Sequence, residues 1–85
     1  MSILKSIEER FSDEEIFFIE GFDEAIIGIE ESTKRLIYSF CKCLNILNRQ
    51  GMPQDEALDH FYCNIQGTYI GEKTAIFCFD DFNNI

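Results

Sequence analysis

One histidine and four cysteines are the side chains of this sequence best suited to metal binding or nucleophilic chemistry, and their spacing limits both. Cys41 and Cys43 stand two apart; on a helix their sulfurs point about 200° from one another, so they cannot share an ion. His60 and Cys63, at i and i+3, do converge, but a zinc site needs further ligands that Cys78 or another group would have to bring. No pair has the C-x2-C spacing of a structural zinc motif, so no metal site is expected. A cysteine nucleophile needs a base and an orienting partner. With a single histidine the pair must use His60, and its nearest cysteine, Cys63, lies on the same segment. The chain therefore reads as four free thiols, no catalytic residue and no cofactor: not an enzyme.

Two other groups carry weaker chemical signals. Asp80 and Asp81 could act as an acid and base pair or hold a divalent ion, but adjacent acids in a polar tail are expected to be solvated. The "GTYIG" segment, residues 67–71, lacks the lysine, the preceding strand and the following helix of a phosphate-binding loop, so turn chemistry is expected there. The alternative is a recognition loop carrying Asn64, Tyr69 and Glu72, which would edge a pocket for a small ligand or nucleotide signal. Lys73 is its only basic residue, which counts against a phosphorylated ligand.

Charge is the sequence's most uneven property. Of a net charge of −9, residues 1–31 hold ten acidic residues against two basic ones, while the remainder is close to balanced. Phosphate binding needs clustered lysine and arginine, so direct nucleic-acid binding is not expected. Interleaved with the acids are Phe11, Phe17, Phe18 and Phe22, whose expected role is core packing, with a partner or self-association surface as the alternative. Such a surface suits a partner with a basic face, the acids steering and the rings anchoring. The residues assigned to that face are Glu8, Glu9, Asp13, Glu14, Glu15, Glu20, Asp23 and Glu24.

The elements that must position these residues are legible in part. At 46% hydrophobic, with nine Phe and three Tyr, the 85 residues can build one core, and a single domain is expected. It divides into an acidic helical leader (1–21), an α+β core (22–79) and a polar tail (80–85). Ile3, Ile7 and Phe11, with Leu4 beside them, fall on one helical face. "FSDEEIFFIEG" then predicts a second helix: Ser12 and Glu15 form a capping box, Phe11 and Ile16 a hydrophobic staple, and Gly21 the stop. Residues 25–30 and 35–39 read as strands of a hairpin with a polar loop between, Gly28 marking a bulge or a close backbone approach. After Ser39 as cap, Phe40, Cys43, Leu44 and Leu47 give a helix closed by Gly51. Pro53, Asp55 and Glu56 open another, with Ala57, Leu58, Phe61, Tyr62 and Ile65 as its apolar stripe and Gly67 as its end. Residues 74–79 make a third strand. The order is β-β-α-α-β, a small antiparallel sheet packed against a helix pair, with Leu44, Leu47, Leu58, Phe61 and Phe77 as core. One helix layer on three strands is thin, so self-association through uncovered apolar surface is a further expectation.

"GFDEAIIGIE", "RLIYS", "GMPQDEALDHF" and "NIQGTYIGEKTAIF" together resemble a group of small uncharacterised bacteriophage proteins over residues 21–77. Their shared pattern is a G-[FY]-D-x-A-I-I-G segment, then R-[LV]-I-Y, a G-M-x4-A-[LM] helix, an Asn and G-x-Y-x-G-E-x-T. Pro53 and Ala75 depart from it, standing where Ser or Thr and Pro would be expected. The resemblance implies a viral protein acting in a host cytoplasm, and it brings no assigned chemistry.

Charges at Lys5, Glu8, Glu9 and Arg10 come too early for a signal-peptide core, and no apolar run approaches the roughly 20 residues that span a bilayer. Reduced thiols and a cytoplasmic location away from membranes are expected. The functional expectation is a small acidic effector that binds a host protein, a defence nuclease or polymerase component, and inhibits or redirects it, with DNA mimicry as a special case. Sequestration of a small ligand and a structural or assembly role are the alternatives.

Overall fold

The computed structural model describes residues 3–66 and 74–82, which form a small α+β unit. Helix α1 (Ile3–Arg10) buries Leu4 and Ile7, one turn apart, while Ile3 is exposed. Ile7 thus lies on the buried face as expected, with Leu4 in place of Ile3, a rotation of the stripe by only about 30°. Phe11 follows the helix half-buried, with its N–H on the Ile7 carbonyl.

The second leader helix does not form. Residues 12–14 make a turn and residues 15–19 run without regular structure to Gly21, whose φ of 90° redirects the chain. Ser12 and Glu15 are both exposed, and neither caps a helix. Two physical terms outweigh the capping signal. Ile16, Phe17, Phe18 and Ile19 are branched or aromatic and lose rotamer freedom in a helix. The open path also lets Ile16 and Ile19 pack on the core, and the Ile19 N–H donates to the Tyr38 hydroxyl at 2.7 Å. Residues 15–19 thus form a strap across Tyr38.

A 3-10 turn (Asp23–Ala25) leads into β1 (Ile26–Glu30), which pairs antiparallel with β2 (Arg35–Ser39). The register steps between Ile26 opposite Tyr38 and Gly28 opposite Ile37, so Ile27 is the extra residue of a bulge beside the glycine expected to mark one. The loop is closed by Lys34 at φ 58°, its N–H on the Glu30 carbonyl at 2.8 Å. The Glu30 carboxylate accepts from the backbone and hydroxyls of Ser32 and Thr33, which hold it well below the usual range, at about 2.

Helix α2 (Phe40–Arg49) starts where Ser39 Oγ accepts the Lys42 N–H at 3.1 Å. It stops at Gly51, φ 101°, where Met52 donates to the Leu47 carbonyl and Gly51 to that of Asn48, the paired bonds of a Schellman cap. Helix α3 (Gln54–His60) follows Pro53 and continues into a π-helical turn (Phe61–Ile65), closed by Gln66 N–H on the Phe61 carbonyl at 2.8 Å. That turn keeps Phe61 and Ile65 inside and puts Tyr62, Cys63 and Asn64 outside.

Strand β3 (Ile76–Cys78) lies beside β2 and parallel to it, giving the order β1-β2-β3. The sheet is therefore mixed, not antiparallel. A hairpin reverses direction, but the connection from β2 to β3 includes helices α2 and α3 and is long enough to return the chain to the starting end of β2. Ala25, Ile26, Leu36 and Tyr38 meet Phe40, Cys43, Leu44, Ile46, Leu47 and Phe61 in the core, while Leu58 and Phe77 are half-buried at its margin. Phe61 meets Phe40 edge-on at 5.0 Å and Phe77 at 5.3 Å, favourable arrangements of aromatic quadrupoles.

Candidate interaction surface

The acidic residues fall on three different supports. Glu8 and Glu9 are exposed on α1, away from the buried Leu4 and Ile7. Asp13, Glu14, Glu15 and Glu20 are exposed along the turn and strap, and Asp23 and Glu24 are exposed on the 3-10 turn. Glu24 has a partner within the chain, since its Oε2 accepts from Arg49 Nη2 at 2.7 Å. Both side chains are more than half exposed, so the pair contributes little stability, but it takes Glu24 out of the uncompensated set.

The strap sets two aromatic rings among these acids. Ile16 and Ile19 turn inward, leaving Phe17 and Phe18 41% and 51% exposed, with Asp13, Glu14 and Glu15 before them and Glu20 after. Adjacent exposed phenylalanines are costly to leave in water, since burying one stabilises by roughly 1.5–3 kcal/mol. Tyr38 is fully buried under the strap; burial pushes its hydroxyl up to about 12, so it stays a neutral hydrogen-bond partner for Ile19.

A second exposed aromatic group lies where β3 ends. Tyr62 and Phe79 stack with rings 6.3 Å apart, Phe79 stacks on Phe40 at 4.7 Å, and Phe82 is 65% exposed. Beside it an open groove of about 390 Å³ runs between α2 and α3, its apolar floor including Phe40, Leu44 and Leu58 and its rim Asn48, Gln54 and Asp81.

The other residues singled out in the sequence are dispersed or otherwise engaged. Asp80 is not a solvated tail residue: its Oδ2 accepts from Ser39 Oγ at 2.5 Å and its Oδ1 from the Cys41 N–H at 3.1 Å, so it completes the cap of α2. Those hydrogen bonds outweigh its partial desolvation and hold its carboxyl below the usual range. Cys43 is buried and its thiol is pushed up to about 12 by burial; burial and Asp80 raise that of Cys41. Cys63 is exposed, its thiol facing Asp59 Oδ1 at 3.9 Å. Asn64 Nδ2 sits 3.3 Å from His60 Nδ1 on the outside of the π-helical turn. Tyr69 and Glu72 lie outside the described residues. Among the described residues no group of three His, Cys, Asp or Glu side chains is placed to hold a metal ion, and no helix is long and apolar enough to cross a membrane.

Sequence reasoning missed the strap, the Tyr38 contact beneath it and the Asp80 cap. The last two join residues far apart in the chain, for which no local signal exists. The exposure of Phe17 and Phe18 did have one, because adjacent large apolar residues cannot both face the same core from one helix. Compared with known protein families, with curated proteins and with solved structures, the chain matches none.

Proposed function

We propose that this chain is a small acidic binding protein, not a catalyst, that docks on the basic surface of a host protein and inhibits or redirects it. The resemblance to small phage proteins supplies the setting, a host cytoplasm. The observation that carries the reading is the pair of exposed rings, Phe17 and Phe18, set in the strap between Asp13, Glu14, Glu15 and Glu20. Acids that repel one another add nothing to folding, and they raise the rate of encounter with a basic partner. The rings supply the apolar centre on which most interface energy concentrates. Against catalysis stand the two thiols at the start of α2: Cys43 is buried, and both it and Cys41 are held protonated, the reverse of an activated nucleophile.

The test is affinity capture from host lysate with the wild-type chain, with a variant carrying Asp13→Asn, Glu14→Gln, Glu15→Gln and Glu20→Gln, and with Phe17→Ala/Phe18→Ala. Glu24 is left intact because it pairs with Arg49. A protein retained by the wild type, released by salt and lost with either variant supports the reading. Retention of the same proteins by all three refutes it.

A further inference from the structure

The strap has a property that side-chain chemistry alone does not describe. Among the described residues, the backbone N–H groups of Glu15, Ile16, Phe17 and Phe18 donate to no carbonyl, and their own carbonyls accept from no N–H. The bonds nearest them are Glu14 N–H to the Phe11 carbonyl on one side, and on the other Ile19 N–H to Tyr38 and Phe22 N–H to the Ile19 carbonyl. Residues 15–18 are thus a run with its main-chain groups unpaired, exposed at Glu15, Phe17 and Phe18, pinned beyond its far end by Ile19 and rich in residues of high β-propensity. Resting on the reading above, we propose that this strap binds by strand addition: residues 15–18 pair with the open edge of a sheet in the partner, and basic side chains flank that edge.

The chemistry of the strap fits this occupant better than a helix-binding groove. Strand addition draws its affinity from main-chain bonds, and here the donors and acceptors are already free of intrachain partners. In a strand, Phe17 and Phe18 point to opposite faces, Phe18 on that of Ile16, so pairing would turn the strap from its resting pose, in which Ile16 and Ile19 both pack on the core, and set one ring on each side of the new ladder. The acids on either side, Glu14 with Glu15 and Glu20, then fall at the two ends of the paired segment, opposite the basic residues assigned to the partner. A second copy of the chain is a poor recipient. Of its two edge strands, β1 follows Asp23 and Glu24 and ends in Glu30 and Glu31, and β3 runs into Asp80 and Asp81, so like charges would meet at either.

The test uses a cyclised β-hairpin of alternating lysine and valine, whose outer edges are open, against a helical lysine and alanine peptide of equal charge. Amide hydrogen exchange is followed in the full-length protein. The expected result is tighter binding of the hairpin, with exchange at Ile16, Phe17 and Phe18 slowed at least tenfold. Phe17→Pro removes an N–H while tolerating an extended backbone, and it should bind the hairpin at least tenfold more weakly than Phe17→Ala. Both changes are at an exposed position, so unchanged melting shows that each variant folds. Equal binding of hairpin and helix with unprotected strap amides overturns strand addition and leaves the basic-partner reading standing. Binding of neither peptide removes that reading, and this inference with it. Strap protection that appears on concentrating the protein alone identifies a second copy as the occupant and overturns the assignment to a basic partner.

Discussion

Replacing Asp80 tests how the third strand is tied to the second helix. Its carboxylate takes the Ser39 hydroxyl and the Cys41 N–H, while Ser39 Oγ in turn takes the Lys42 N–H, so one acid and one serine cap the first turn of α2 together. A hydrogen bond to a charged group contributes about 1.5–3 kcal/mol, and a lost helix cap costs about 0.5–2 kcal/mol. The two bonds share a half-buried carboxylate and do not add in full. Asp80→Ala should therefore cost about 2 kcal/mol, which in a domain of this size lowers Tm by roughly 8–16 °C. Asp80→Asn keeps one acceptor and loses the charge, so its loss should be about half as large. Because the folded carboxyl titrates below its ordinary range, its stabilisation is present above the unfolded aspartate value and disappears as pH falls through the depressed folded value. Thermal melts of wild type and Asp80→Asn at neutral pH and in acid provide the assay: the gap should be widest at neutral pH and close in acid. Glu30 is held low in both proteins and cancels in the comparison. Equal melting at neutral pH, or a gap that persists unchanged in strong acid, would refute the cap. A double-mutant cycle with Ser39→Ala should show coupling of at least about 0.5 kcal/mol.

Three other outcomes are expected. Phe61→Ala removes a fully buried ring in contact with Phe40 and Phe77 and should cost about 3–5 kcal/mol, a large share of the stability of so small a domain, so circular dichroism should show a much lower or absent melting transition. Tyr38→Phe strands the Ile19 N–H and should cost about 1–2 kcal/mol, with hydrogen exchange accelerated at Ile19 more than anywhere in α2. Alkylation followed by mass spectrometry should find four reactive thiols in denaturant; in the native protein the exposed Cys63 should react first and Cys43, buried and protonated, last.

Where a signal is local and no distant contact competes with it, the amino-acid sequence alone determined the outcome. Ser39 caps α2 and Gly51 ends it because the serine side chain and the glycine backbone act within a few residues of themselves. The β1–β2 hairpin and the bulge beside Gly28 were equally legible. So was most of the core, because Leu44, Leu47 and Phe61 repeat at helical spacing, whereas Leu58 and Phe77 sit at its margin. The capping box at Ser12 and Glu15 was a local signal too, and it failed. A cap contributes about 1 kcal/mol. Packing Ile16 and Ile19 on the core, with Ile19 bonded to Tyr38, competes with that from residues nearly twenty positions away. The parallel placement of β3 and the role of Asp80 belong to the same class. Nothing near Asp80 marks it as the cap of a helix that begins at Phe40; only the crossover, by returning the chain beside β2, brings the carboxylate to that helix end. The candidate site divides along this line. Its acids and rings could be read from composition and order, but which rings face water, and which backbone groups stay unpaired, was decided by the strap's contact with a core assembled from distant segments.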